Sequence, residues 1–247
     1  MRVPETPVGR WLEESLRGLT LSEEAEGYLY GRAFSDELVG RLGVGEWKLP
    51  AAATPSEGFA RRYGERGERV EGFLAFPIRA PGGRLLGVEF RSWREKVIYE
   101  FRAPESEWNP FLINPARAME RMAAGGSVWV VEGVYDLAAL EWAVPPGDAV
   151  LSTLRAGFAR STVEFLARWC RNRVYMVYDN DATGRRATVG WVDQTTGKRR
   201  RGALELLQRE GVTAVDFHYR GKDPGEVWRA GGARAMREEF AGLSALG

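Results

Sequence analysis

Two ligand chemistries are nearly missing from this sequence: it has one cysteine, Cys170, and one histidine, His218, in 247 residues. A lone cysteine excludes an internal disulfide framework and a zinc ribbon. Together the two residues supply only half of the four soft ligands that a structural zinc site takes. No zinc is therefore expected, and both residues are read as ordinary core or surface positions. If a metal binds, carboxylates must hold it, and all-oxygen ligation favours Mg2+ or Mn2+. Long hydrophobic runs are missing too, since none reaches the roughly 18–20 residues of a membrane span. The opening MRVPETPVGRWLEES lacks the apolar stretch of a secretory leader, so a cytoplasmic location is the default expectation. Net charge is almost absent, at +1, yet it is unevenly laid out. Residues 1–60 hold 6 basic and 10 acidic side chains, residues 61–102 hold 10 and 6, and residues 171–201 hold 8 and 3. Such segregation bears on phosphate binding more than the total does, although a solvated arginine-rich face is the plain alternative.

What is present reads as alternating elements. Residues 1–20 suggest a tail or one short helix. Leu21-Ser22-Glu23-Glu24 resembles a capped helix start running to about Gly31, and Ser35-Asp36-Glu37 opens another that ends within Gly40–Gly45. Residues 50–70 read as a loop. From Phe73 the period becomes two: Phe73–Arg79, a turn at Ala80-Pro81-Gly82-Gly83, and Arg84–Trp93 predict a hairpin, with Lys96–Arg102 a third strand. A loop and a helix near Pro115–Ala124 precede Gly125-Gly126. Then apolar strands (Ser127–Val131, Ala149–Ser152, Val174–Tyr178, Val212–Phe217) alternate with helices (Tyr135–Trp142, Arg160–Cys170, Ala203–Glu210). Continuous rather than alternating apolar strands point to a mostly parallel sheet covered on both faces, in an α/β chain.

Two of those strands end in acid. Val131 leads into Glu132-Gly133 with Asp136 one turn later, and Tyr178 leads into Asp179-Asn180-Asp181 with Gly184 following. In an open parallel sheet the carboxyl ends of the strands share one edge, where ligands bind. Acids gathered there repel one another unless a cation or water intervenes. Asp-Asn-Asp after a strand is equally a good turn and helix cap, so either motif alone is weak.

The run Glu132-Gly133-Val134-Tyr135-Asp136 resembles the Glu-Gly-x-x-Asp motif of TOPRIM domains, and Asp179-Asn180-Asp181-Ala182-Thr183-Gly184 their Asp-x-Asp-x-x-Gly. Gly221-Lys222-Asp223-Pro224 is similar to a motif following the last strand in bacterial and phage-type DNA primases. Phe76-Pro77-Ile78-Arg79, Gly83-Arg84-Leu85-Leu86-Gly87 and Phe90-Arg91 resemble the primase polymerase core. So do Tyr28-Leu29-Tyr30-Gly31-Arg32, Ser35-Asp36-Glu37 and Leu42-Gly43-Val44-Gly45. The resemblance covers about residues 20–240. It implies a TOPRIM, Rossmann-like, mostly parallel sheet preceded by a smaller α+β subdomain. The implied segments are a tail over 1–20, a basic α+β subdomain over 21–125, a TOPRIM domain over 126–225 and a short C-terminal helix over 226–247.

By the same resemblance, Glu132, Asp179 and Asp181 are the catalytic set and hold the metal, with Asp136 and Asp223 beside them. Arg79, Arg91, Lys96 and Lys222 contact template or nucleotide phosphates. The implied activity is template-directed synthesis of short RNA primers. The implied partners are single-stranded DNA template, nucleoside triphosphates, and a replicative helicase or a separate zinc-binding or helical subunit. A TOPRIM nuclease and a non-catalytic single-stranded-DNA-binding protein stay open as alternatives.

Four departures stand out. Gly225 occupies a position where the family often carries a second acid, and the usual Thr-Leu-Gly-Thr stretch reads Thr153-Leu154-Arg155-Ala156-Gly157. Residues 188–201 look inserted, as a basic hairpin from Thr188–Val192 and Lys198–Arg201. In it Trp191, Lys198, Arg199 and Arg200 are candidates to touch template or product. No zinc-binding module is evident, and only one short helix, Ala233–Phe240, is expected after Pro224. Two readings of this follow: a pared-down phage or plasmid primase, or a domain that works with a partner.

Overall fold

The structure, a computed structural model, describes residues 7–48, 70–103 and 110–240. The loop expected over residues 50–70 lies almost wholly outside the described residues, as does part of the loop expected before Pro115. The chain divides into two units, Met1–Tyr30 with Ser35–Asn109, and Gly31–Phe34 with Pro110–Gly247.

The first unit begins with helix α1 (Pro7–Leu16), so the short-helix reading of the opening stretch holds. Helix α2 (Glu23–Gly31) starts where Ser22 Oγ accepts from the Ala25 N–H at 3.3 Å. Helix α3 (Asp36–Leu42) is capped by Ser35 and stopped by Gly43 at φ 68°, a left-handed position that favours glycine. Four antiparallel strands follow in spatial order β1 (Gly45–Glu46), β2 (Leu74–Arg79), β3 (Leu85–Arg91) and β4 (Ile98–Arg102). The predicted hairpin is β2–β3, its turn closed by the Gly83 N–H on the Ala80 carbonyl at 2.8 Å. Pro77 is tolerated inside β2 because β1 pairs only with Leu74 and Ala75, so the strand is an edge at the proline. Leu12 and Leu16 of α1 pack with Trp47, Val88, Phe90 and Phe101 to form this unit's core.

The second unit carries helix α4 (Pro115–Ala123), β5 (Val128–Val131), α5 (Val134–Leu140), β6 (Ala149–Ser152), α6 (Arg160–Trp169) and β7 (Arg173–Met176). It continues with α7 (Ala182–Val189), β8 (Gly190–Val192), β9 (Arg199–Arg201), α8 (Ala203–Arg209), β10 (Thr213–Asp216) and α9 (Pro224–Phe240). Strands β10-β7-β5-β6 form one sheet, and every pair in it is parallel.

Alternation along these short strands fills both faces. Val128, Val130, Ala149, Leu151, Val174 and Met176 bury one face under α4, α6 and α8. On the other face Trp129 stacks on Tyr175 at 4.2 Å and abuts Phe217, which stacks on Phe240 of α9. The Trp129 Nε1–H donates to Asp148 at 2.9 Å, so the buried indole keeps its polar group satisfied. Truncating Trp129 to alanine would cost about 3–5 kcal/mol. The α/β class read from sequence is what the structure has.

Several boundaries shift by a residue or two, and three differences are informative. Thr188 belongs to α7 and not to the hairpin: its hydroxyl donates to the Gly184 carbonyl at 2.9 Å, and the helix runs on to Val189. Helix α9 starts at Pro224, nine residues before the expected Ala233, and is interrupted at Gly231 and Gly232. A proline suits a first helical position, and Asp223 caps it by accepting from the Glu226 N–H at 2.6 Å. Strand β1 has two residues, too few for any period to register. Among the described residues, no helix is long and apolar enough to cross a membrane.

Candidate carboxylate site at the sheet edge

The chain leaves β5 for β6 on one side and returns to β7 on the other, so β5 and β7 flank the switch point of the parallel sheet. Loops diverge there and open a crevice at the carboxyl ends of the strands. Glu132 follows β5 directly and Asp179 follows β7, while Asp223 comes after β10. The loops after β7 and β10 are stitched together by Asn180. Its backbone N–H donates to the Lys222 carbonyl at 2.7 Å, and its side-chain amide donates to the Tyr219 and Gly221 carbonyls, each at 2.8 Å. Beneath them, Thr153 and Tyr178 share a buried hydroxyl contact at 2.8 Å, and the Tyr219 hydroxyl donates to the Tyr178 carbonyl at 3.1 Å. Sequence reading treated Asn180 as a spacer between two aspartates. Its role as a clamp depends on a loop some forty residues away, which no local pattern reveals.

The acids are close enough to perturb one another. Burial, then the charge of Asp179, then those of Asp181 and Asp136, push the Glu132 carboxyl up to about 7, against the opposing pull of the Asp179 backbone N–H. Burial, then Asp223 and Asp181, push Asp179 up to about 6, with Lys222 opposing. Glu132 Oε1 is buried with no hydrogen-bond partner, a costly state for a carboxylate oxygen in the absence of a ligand. Gly184, in the first turn of α7, permits this closeness. A Cβ there would come within 2.1 Å of the Asp179 carbonyl oxygen and 2.9 Å of Glu132 Oε1.

The other acids hold backbone. Asp181 Oδ1 caps α7 by accepting from Thr183 at 2.8 Å and Gly184 at 3.0 Å. Asp136 accepts from Gly133 through Oδ2 and from Gly225 through Oδ1, both at 3.2 Å. A side chain at 225 would crowd Asp223 and Asp136, at 3.2 and 3.4 Å. Among the described residues, no three of His, Cys, Asp and Glu stand close enough together to hold a metal ion. The structure thus brings Glu132 and Asp179 together at one edge of the sheet with Asp136, Asp181 and Asp223 around them, but holds Asp181 on the helix it caps.

The donor set still suits a hard cation. Mg2+ keeps several waters and is commonly held by one or two carboxylates plus substrate phosphate. Glu132, with an unpartnered oxygen, and Asp179 supply two such carboxylates.

The basic candidates divide. Arg79 makes a two-pronged pair with Glu13 of α1, at 2.9 and 3.0 Å, and also donates to the Gly83 carbonyl. Arg91 pairs with the buried Glu89. Lys96 and Lys222 are exposed, and the Lys222 charge is felt by Asp179. Trp191, Lys198, Arg199 and Arg200 lie on the β8–β9 hairpin.

No protein-family model matches the chain. The DNA primase of Deinococcus radiodurans is 26% identical over 235 residues, 87% of this chain and 39% of that primase. Among solved structures, the zinc-binding and RNA polymerase domains of the Aquifex aeolicus primase match with a TM-score of 0.67 at 19% identity, over 96% of this chain and 62% of theirs. The DnaG primase catalytic domain bound to ssDNA matches with a TM-score of 0.60 at 21% identity, over 92% of this chain and 77% of that one. The architecture is a mixed α/β one, a parallel sheet unit joined to an antiparallel one. More narrowly, it is the fold of a bacterial DNA primase-type catalytic core. The chain spans about two fifths of the length of the curated relatives it matches.

Proposed function

We propose that this chain is the nucleotidyl-transfer core of a primase, synthesising short RNA primers on single-stranded DNA, with its second unit acting as a TOPRIM domain. The observation that carries the reading is the pair Glu132 and Asp179 at the switch point of a primase-type fold, both with raised carboxyl pKa values and one with an unpartnered buried oxygen. Glu132 and Asp179 would hold a Mg2+ or Mn2+ ion, with Asp181 joining once it leaves its capping bonds. A divalent cation bound there supplies charge neutralisation and orientation for in-line displacement at phosphorus.

The chain's own groups do the rest. Asp136, fixed by the Gly133 and Gly225 amides, ties the β5 loop to the start of α9. Asn180 holds the β7 and β10 loops at one height. Lys222 places a positive charge beside Asp179, where a nucleotide phosphate would lie. The primer 3′-hydroxyl gives its proton to solvent as its oxygen bonds to the nucleotide's α-phosphorus, and the α–β phosphoanhydride bond breaks to release pyrophosphate. Lys96 offers an exposed charge for template phosphate. Arg79 and Arg91 can serve there only by exchanging Glu13 and Glu89 for phosphate. The protein similar in fold was seen with single-stranded DNA, which supports that template class here; a helicase or a separate zinc-binding subunit belongs to the same proposal.

Incubation with single-stranded DNA, ribonucleoside triphosphates and Mg2+ or Mn2+ tests the reading. Short oligonucleotides, lost in Glu132→Gln and Asp179→Asn, are the expected products. Shortened template would favour a nuclease, and binding without either product a non-catalytic role.

A further inference from the structure

The β8–β9 hairpin presents two chemically different faces. Register pairs Gly190 with Arg201, Trp191 with Arg200 and Val192 with Arg199. Side chains alternate across a strand, so Arg199 and Arg201 share one face while Trp191 and Arg200 share the other. The first face is anchored: Arg199 and Arg201 share the Glu205 carboxylate of α8, at 2.8 and 3.1 Å, with Arg209 at 3.4 Å. That anchors the hairpin on the unit. The second face is free for a ligand. Among the described residues, Lys198 and Arg200 form no ion pair. Trp191 is 41% exposed, with the Arg186 guanidinium 5.7 Å from its ring centre. One acid lies in the hairpin, Asp193: the Thr196 and Thr195 amides in the turn, and more weakly the Arg200 charge, hold its carboxyl below the usual range. The loop is therefore preformed and cationic.

We propose that the Trp191–Arg200 face, with Lys198 and Arg186, is a binding site for single-stranded DNA. A base would stack on the indole, and Arg200, Lys198 and Arg186 would meet the phosphates on either side. Base–aromatic stacking typically contributes about 1–3 kcal/mol and tolerates any sequence because every base has a π-face. An exposed tryptophan beside unpaired cations suits that ligand better than an apolar protein surface would. The choice of DNA rests on the template class proposed above; the site itself requires neither the carboxylates nor a cation.

Fluorescence anisotropy with labelled oligo-dT and oligo-rU, in EDTA and across a salt series, provides the test on the full chain. Lys198→Gln with Arg200→Gln should weaken oligo-dT binding about tenfold and flatten the log-affinity against log-salt slope by about 1.4, the value for two phosphate contacts on a single strand. Trp191→Ala should weaken binding about fivefold or more with the slope unchanged. Arg199→Gln serves as the contrast: it loosens the anchor, lowering the melting temperature slightly while the slope stays put. Unchanged affinity and slope in both the Lys198/Arg200 and Trp191 variants, with melting temperatures preserved, overturns the site. A loss on oligo-rU alone overturns the assignment to DNA. Asp179→Asn separates this proposal from the catalytic one, since it should end synthesis and leave oligo-dT binding in EDTA intact.

Discussion

In the antiparallel unit, the strand arginines that the sequence offers as phosphate ligands sit on carboxylates, Arg79 on Glu13 and Arg91 on Glu89. In the parallel unit, Glu132 and Asp179 have chiefly other acids around them, with Lys222 a cation that eases Asp179. Among the described residues, the acids at the β5–β7 edge stay electrostatically unrelieved, whereas Arg79 and Arg91 do not. Structural charges find partners during folding, whereas a site that awaits a ligand keeps its charges in tension. The difference fits the catalytic role proposed for the β5–β7 edge, and for the first unit a framework whose exposed Lys96 is freer than Arg79 and Arg91.

The comparison breaks most sharply at the acids themselves. Glu132→Gln and Asp179→Asn should each lower primer synthesis about a hundredfold or more. At pH 8 in EDTA the same variants should melt higher than the parent, because each removes a repelled carboxylate; activity and stability then move in opposite directions. Gly184→Ala follows: its Cβ meets the Asp179 carbonyl oxygen at 2.1 Å, and the resulting shift should cost about 1–3 kcal/mol in denaturant unfolding.

The pH dependence is smaller. Folded carboxyls raised to about 7 for Glu132 and about 6 for Asp179 favour the protonated state. Their stabilising contribution is fully present below about pH 4 and is lost as pH rises through 6 to 7, by about 1 kcal/mol after solvent screening. Glu132→Gln should flatten that decline, and Mg2+ should raise the melting temperature more at pH 8 than at pH 5. The smallest effect belongs to the first unit. Glu13→Gln should change stability by about 0–1 kcal/mol, and any gain in oligo-dT affinity would mean that Arg79 had been released to bind phosphate.

Much of the second unit is legible because β5, β6 and β7 are buried on both faces and so read as unbroken apolar runs, as in Val128–Val131, whereas edge strand β10 is half-exposed. The capping residues Ser22 and Ser35 likewise mark α2 and α3. The extent of α7 is hidden: its end is set by Gly190 at φ 86°, where a Cβ would come within 2.5 Å of the Arg200 carbonyl oxygen across the hairpin, and the pairing that forces this glycine is not local. The Arg79–Glu13 pair spans 66 positions, so no spacing announces that a candidate phosphate ligand is already engaged. Motif resemblance selected Glu132, Asp179 and Asp181 as equals. The structure separates them, because the same Asp-x-x-Gly that suits metal binding also makes Asp181 an efficient helix cap.

The central claim is that the carboxylates ending β5 and β7 act together on one divalent cation. Titrating the chain with Mn2+ and following the free ion by electron paramagnetic resonance tests it without any need for activity. A Mn2+ site that tightens as pH rises from 5 to 8, and that both Glu132→Gln and Asp179→Asn weaken about tenfold or more, is the expected result. Mn2+ binding that is indifferent to both substitutions and to pH would contradict it.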